Sequence, residues 1–221
     1  MQLNNKNILK PVKITGNVEI SPDVYLVSWR RDADFNPGQV VKIAADNQEP
    51  PRIYSICSGT RDEAFSVLFN VKDEGSLTPR MAELRRGDTL YSSPPYGTFT
   101  SDDGPAWWIA TGTGIAPYYS MFRSGLAGNK VLVHGVRHAN QFYFGESFEQ
   151  EMRGSYFRCC SKEESNGVFH GRVTRYLEQV ETFPPGIKYY LCGNAGMVVE
   201  VRDFLIERGI PWNQIVAEIY F

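Results

Sequence analysis

Ala110-Thr111-Gly112-Thr113-Gly114-Ile115-Ala116-Pro117 decides how this chain is read. An apolar run, Trp107 to Ala110, precedes it, and a helical pattern near Ile115–Ser124 follows. The order is strand, glycine turn, helix. Glycines there permit a tight turn and let backbone N–H groups approach a diphosphate at the helix N-terminus. An ordinary strand–helix turn uses the same residues, so both readings stand on this stretch alone. No Gly-Lys-Ser/Thr follows the turn, which argues against a nucleoside-triphosphate P-loop.

Downstream, the same alternation continues. Lys130 to Val136, Tyr156 to Cys160, Tyr189 to Cys192 and Ile215 to Tyr220 read as strands. Helical patterns lie near Ser147–Met152, Val173–Val180 and Gly196–Arg208. Strand–helix alternation predicts an α/β, doubly wound parallel sheet. Upstream the texture changes. Val12–Thr15, Val24–Val27, Val40–Ala44 and Phe65–Phe69 alternate at period two between Pro and Gly turns. That pattern predicts an antiparallel β-barrel. One helix interrupts it, with Thr78 as N-cap and Pro79 at the first helical position. The polar turn Asp102-Asp103-Gly104-Pro105 separates the textures, giving a barrel domain over 1–103 and an α/β domain over 104–221.

Composition excludes several classes. The chain has 221 residues, 42% of them hydrophobic, and a net charge of −2 from 23 basic and 25 acidic side chains. Disorder needs fewer apolar residues and more net charge. No run reaches the ~18–20 apolar residues of a membrane span, and Met1–Pro11 is too polar for a signal peptide. Near-zero charge argues against a non-specific nucleic-acid binder. Cys57, Cys159, Cys160 and Cys192 form no spaced framework, so a reduced, cytoplasmic chain is expected.

Three further segments carry possible chemistry. In Arg52-Ile53-Tyr54-Ser55-Ile56-Cys57-Ser58, period two puts Arg52, Tyr54, Ile56 and Ser58 on one face. An Arg fork, a ring and hydroxyls suit a ligand with phosphate and a flat ring system; a solvated strand face is the competing reading. Gly75-Ser76-Leu77-Thr78 offers a second helix start with backbone donors, or simple capping. Cys192-Gly193-Asn194-Ala195-Gly196-Met197 falls at the C-terminal edge of the parallel sheet, where α/β ligands sit; a buried Cys is the bland alternative. His134 and His138 have helical ligand spacing but fall at a strand end and turn, so no metal is expected. Cys159-Cys160 reads as core, and Trp107-Trp108 as split between core and rim. The cysteines also lack plant-type iron–sulfur spacing.

In order, these motifs resemble the ferredoxin–NADP reductase superfamily. They are Arg-x-Tyr-Ser, Gly-x-x-Thr, Gly-Thr-Gly-x-Ala-Pro, Cys-Gly-x-x-x-Met and a terminal Glu-x-Tyr-aromatic, spread from about Val12 to Phe221. Leu77-Thr78-Pro79-Arg80-Met81 and Ala217-Glu218-Ile219-Tyr220-Phe221 look closest to the bacterial ferredoxin/flavodoxin–NADP reductases. The resemblance implies a flavin-binding barrel followed by a pyridine-nucleotide domain, with FAD and NADP(H) as cofactors. Arg52 and Gly75, Ser76, Leu77 and Thr78 would hold the FAD diphosphate. Tyr54 would pack on the flavin, with Ser55 near its hydride-accepting nitrogen. Gly112, Thr113, Gly114 and Gly193 would face NADP. Arg137, Ser161, Lys162 and Arg172 would lie on the rim that meets the adenosine 2′-phosphate. Cys192 and Glu218 would flank the nicotinamide, while Tyr220 and Phe221 would cover the other flavin face, Tyr220 as a movable gate. Phe221 stands where close relatives often have Trp, and Lys162 where Arg is frequent.

The implied activity is electron transfer between NADP(H) and an acidic one-electron carrier, ferredoxin or flavodoxin. Arg80, Arg85 and Arg86 are candidate docking charges. The chain is expected to act as a monomer, with no nucleic acid and no membrane span. A flavin-bearing subunit of a larger assembly, or an NADH-linked reductase of free flavin or haem proteins, are the alternatives.

Overall fold

The structure, a computed structural model, describes residues 9–220. It divides into two compact units, Met1–Thr100 with Ala116–Ser124, and Ser101–Ile115 with Gly125–Phe221. The segment Ala116–Ser124 thus groups with the first unit, although it follows the 103/104 boundary in sequence.

The first unit is a six-stranded antiparallel sheet in the order β4-β3-β6-β1-β2-β5. Its strands are β1 (Lys10–Ser21), β2 (Val24–Arg30), β3 (Val40–Ala44), β4 (Arg52–Ser55), β5 (Ala64–Asn70) and β6 (Thr89–Ser92). β1 is long enough to serve two neighbours. Lys10 to Lys13 pair with β6, and Ile14 to Ser21 pair with β2 through two register shifts. A bridge from Ile56 to Val67 closes the barrel. Trp29, Phe65, Val67, Phe69, Ile43 and Leu90 fill it. Helix α1 (Leu77–Glu83) drops Leu77 and Met81 into this core. The Asn17 amide holds its C-terminal end by donating to the carbonyls of Met81, Ala82 and Leu84 at 2.9, 3.2 and 2.9 Å. Such ends otherwise leave carbonyls without partners.

Three expectations for this unit need correction. Ser76, not Thr78, is the N-cap of α1, and Pro79 is its third residue. Proline is tolerated there because first-turn N–H groups have no helical acceptor. β4 stops at Ser55, and Ile56 and Ser58 are buried, so they do not share a solvent-facing surface with Arg52. Closing the barrel turns the chain inward after Ser55, which breaks the period-two face. β6 was not apparent from its short Thr-Leu-Tyr-Ser run.

The second unit is a six-stranded parallel sheet in the order β10-β9-β8-β7-β11-β12. Its strands are β7 (Ala106–Thr111), β8 (Lys130–Val136), β9 (Tyr156–Cys160), β10 (Phe169–His170), β11 (Lys188–Asn194) and β12 (Ile215–Tyr220). Helices α3 (Gly145–Glu151), α4 (Val173–Leu177) and α5 (Ala195–Glu207) connect them, while α2 (Ala116–Arg123) belongs to the first unit. Parallel strands buried on both faces read as near-continuous apolar runs, and β7 fits: Ala106 to Ala110 are all buried. Trp107 and Trp108 are therefore both core, not divided between core and rim. The buried Lys130 donates its ammonium to the carbonyls of Asp102 and Gly104 and lies over the Trp108 ring. Its charge is thus capped, though burial still pulls its pKa down.

From β7 the chain steps outward on one side through β8, β9 and β10. It then returns to the other side as β11. The strand order reverses between β7 and β11, so the crevice of this sheet opens at their C-terminal ends.

Candidate functional site

That crevice is built from the glycine turn and the end of β11. Gly112–Ile115 forms one 3-10 turn directly after β7. Gly114 packs so tightly on β11 that a Cβ there would lie 2.4 Å from the Cys192 carbonyl oxygen. Gly193 (φ +139°) returns the contact: its Cβ would meet Thr111 Oγ1 at 2.3 Å and Thr111 O at 2.8 Å. Asn194 N–H donates to Thr111 Oγ1 at 3.3 Å, and the Asn194 side chain caps α5 by accepting from Gly196 N–H at 2.9 Å. Gly114 and Gly193 thus join the two strand ends. Gly112 (φ +54°) has open space where its Cβ would be, so the turn's free face is at Gly112 and Thr113. Thr111 was missed in the sequence; its place before Gly112 was the available signal.

Beside this turn, Cys192, Glu218 and Tyr220 converge. β11 and β12 pair in parallel with Cys192 opposite Glu218 and Asn194 opposite Tyr220. Cys192 Sγ lies 4.0 Å from Glu218 Oε2. Burial first, then the Glu218 carboxylate, push the thiol pKa well above its ordinary range, and the Tyr220 side chain opposes this in part through a hydrogen bond. Cys192 is therefore a neutral thiol at physiological pH. It can line or position, but it cannot act as a thiolate nucleophile. Phe221 lies outside the described residues.

The rim continues along the ends of β8, β9 and β10. Arg137 and Lys162 are exposed there, and Arg172 is the N-cap of α4. Ser161 is tied down: its N–H and its hydroxyl both donate to Val136 O, at 3.0 and 3.3 Å.

In the first unit, Arg52 and Tyr54 project from β4. Arg52 is exposed and makes no ion pair among the described residues. Tyr54 packs edge-on against Phe69 with ring centroids 6.5 Å apart, and burial pushes its pKa up to about 12. Ser55 is buried. Around α1, Gly75 N–H donates to Lys72 O, and Thr78 Oγ1 accepts from Lys72 N–H at 2.8 Å. Those bonds fix the loop before the helix, and the Thr78 hydroxyl keeps its own proton to donate. Arg80 is not a free docking charge: it pairs with Asp46 at 3.1 Å and Glu49 at 2.6 Å. Arg85 and Arg86 remain exposed.

Comparison with known proteins agrees with this layout. The model of the oxidoreductase NAD-binding domain matches residues 108–203. A ferredoxin–NADP reductase of Azotobacter vinelandii is 30% identical over 221 aligned positions, covering 83% of each chain. The toluate 1,2-dioxygenase electron transfer component of Pseudomonas putida is 27% identical; the match covers 80% of this chain and 56% of that one. In structure, a ferredoxin NADP+ reductase from Neisseria gonorrhoeae with bound FAD and NADP superposes with a TM-score of 0.88 at 18% identity, over 96% of this chain and 99% of that one. No helix among the described residues is long and apolar enough to cross a membrane.

Proposed function

The chain belongs to the ferredoxin–NADP reductase family, and from that we propose that it passes electrons between NADP(H) and a one-electron carrier protein, ferredoxin or flavodoxin, by way of bound FAD. The observation that carries this reading is the meeting of Cys192, Glu218 and Tyr220 beside the glycine turn, at the switch point of the parallel sheet. Bound FAD would supply the exchange between two-electron chemistry with nicotinamide and one-electron chemistry with the carrier.

The residues present fit both groups. For FAD, Arg52 offers an exposed guanidinium without a carboxylate partner among the described residues, and guanidinium forks match phosphate oxygens. Ser76, Leu77 and Thr78 lie at the start of α1, where backbone donors lack helical acceptors. Tyr54 presents a ring for stacking on a conjugated system. For NADP(H), the open face at Gly112 and Thr113 suits a diphosphate. Arg137, Lys162 and Arg172 form no ion pair among the described residues, and Ser161 precedes Lys162 at the end of β9; such a set suits a 2′-phosphate dianion.

In the reaction, Glu218 and the neutral Cys192 thiol would line and orient the nicotinamide. No general base is needed, so geometry sets the rate. Ser55, buried at the end of β4, would hold position near the flavin, and Tyr220 would shield it until nucleotide arrives. The carrier is proposed to be an acidic protein drawn to Arg85 and Arg86, an attraction that salt weakens. We place the protein in the cytoplasm as a monomer. Its four cysteines are free and buried, as suits a reducing compartment. A second reading, a flavin-bearing part of a larger assembly, draws on the Pseudomonas putida relative, of which the chain spans 56%.

The test is direct. Purified protein should hold FAD without a covalent bond and reduce flavodoxin or ferredoxin with NADPH. Protein that stays colourless after refolding with excess FAD would reject the reading. Arg52→Ala should weaken FAD binding by ~1.5–3 kcal/mol, the weight of a hydrogen bond to a charged group, as read by titrating the apoprotein. Cys192→Ala should slow flavin reduction by NADPH about 10- to 100-fold with little change in nucleotide affinity, because small misplacements are costly in rate. An unaltered stopped-flow trace would remove Cys192 from the site.

A further inference from the structure

The ends of β8, β9 and β10 are tied by one residue that the rim reading does not use. Glu163 follows Lys162 directly. Its Oε1 lies 2.5 Å from His138 Nδ1, and its Oε2 accepts from Ala139 N–H at 2.8 Å. Its backbone carbonyl lies 3.2 Å from His170 Nδ1, on β10. The residues around it are zipped in the same way. Lys162 N–H and Cys160 Sγ both reach Arg137 O at 3.1 Å, and Gln141 Oε1 accepts from the N–H groups of Arg137 and His138 at 3.2 and 3.1 Å. Gly171 N–H donates to Cys160 O at 2.8 Å, just before Arg172.

Glu163 is thus an anion in the middle of a cationic rim, yet it pairs with none of Arg137, Lys162 or Arg172. Both its oxygens are committed to the turn after β8. The Ala139 N–H, and then His138, hold its carboxyl below the usual carboxylate range, so it stays ionised and committed. An uncommitted carboxylate here would reach for the neighbouring cations and compete with a phosphate for them.

We propose that Glu163, held by His138 and Ala139, is a positioning residue for nucleotide specificity: it fixes the strand ends that carry Arg137 and Lys162 and leaves these cations, with Arg172, open to the 2′-phosphate of NADP(H). The proposal rests on the rim reading given above. The sign of the effect separates positioning from simple charge. Deleting an anion beside a phosphate site should tighten phosphate binding by electrostatics alone. Deleting the residue that organises the site should loosen it.

The experiment measures adenosine 2′-monophosphate and adenosine 5′-monophosphate binding to the FAD-loaded protein by calorimetry. Wild type should favour the 2′-phosphate about tenfold or more, the weight of one charge-assisted contact. Glu163→Ala should lose about tenfold in 2′-phosphate affinity, while the 5′-isomer and FAD content stay unchanged. Glu163→Gln keeps an oxygen for Ala139 N–H and should recover most of the loss. Tighter or unchanged 2′-phosphate binding in Glu163→Ala, with a discriminating wild type, overturns the role of Glu163. A wild type that does not discriminate overturns the rim reading itself and this proposal with it. The side chain is exposed, so the variant should fold; equal loss toward both isomers would mean general loosening and would also reject the specific role.

Discussion

Gly193→Ala is expected to lower the stability of the second unit by roughly 2–6 kcal/mol and to abolish nucleotide binding. Two costs add. Gly193 has φ +139°, a conformation that side-chain-bearing residues rarely adopt, and holding one there costs ~1–3 kcal/mol. The new methyl would also lie 2.3 Å from Thr111 Oγ1, 2.8 Å from Thr111 O and 3.1 Å from Thr111 N. Two of those atoms are backbone in the central strand β7, so the neighbour cannot rotate away. Overpacking of this kind costs a further ~1–3 kcal/mol. Gly112→Ala is the matched control. Its φ of +54° is also positive, but nothing lies within 4 Å of its Cβ position, so only the left-handed conformational cost of ~1–2 kcal/mol is expected. Urea unfolding of both variants decides the matter. Equal midpoints for Gly193→Ala and wild type would show that the junction between β7 and β11 is looser than described.

Acid should unfold the same unit through His134. This histidine is fully buried on β8, with Nδ1 3.2 Å from the Tyr156 hydroxyl and its ring edge-on to Phe142 at 5.4 Å. Burial pushes its pKa down from 6.5 to about 3, and a hydrogen bond with the Gly112 backbone offsets part of that. The unfolded chain takes up a proton near 6.5, and the folded chain only near 3. Between those values the unfolded state binds more protons, so stability falls as pH falls. Above about 6.5 the effect is absent; by about pH 3 it approaches ~5 kcal/mol, at 1.36 kcal/mol per pKa unit. His134→Gln removes this titration and should flatten the stability curve between pH 6.5 and 4. An unchanged acid slope in that variant would assign the lability elsewhere.

Much of this was legible in the sequence because the inner strands β7, β8 and β11 are buried on both faces and announce themselves as apolar runs. Lys130–Val136 kept its expected bounds, and so did the less buried Tyr156–Cys160 and Ile215–Tyr220. The glycines were also legible, though not the close strand contacts that two of them make. Gly114 and Gly193 weld strand ends together, and only Gly112 keeps an open face. What could not be read depends on contacts distant in sequence. β10 is two residues long and exists through pairing with β9. Ile56 looked like part of a ligand face because its inward turn comes from its bridge to Val67. Arg80 looked available because Asp46 and Glu49, its partners, lie more than thirty residues away. Glu163 was visible in Ser-Lys-Glu, but its grip on the turn after β8 needed the register of the parallel sheet.

The barrel's strand order also constrains how the chain comes together in time. β6 is the last barrel strand in sequence, yet it sits between β3 and β1 in the middle of the sheet. The β1–β2 and β3–β4 pairs are sequence neighbours and close short loops, which is fast. β5 extends the first pair through β2, and the Ile56–Val67 bridge links it to the end of β4, but β1 and β3 gain a common neighbour only when residues 89–92 arrive. On the ribosome, then, β1 and β3 keep open edges until Ser92 has emerged, and open edges invite pairing with other chains. The second unit begins with its central strand β7, so each later strand through β10 finds its neighbour already made. The period most exposed to misassembly falls before residue 92, while the first unit is being made, not the second.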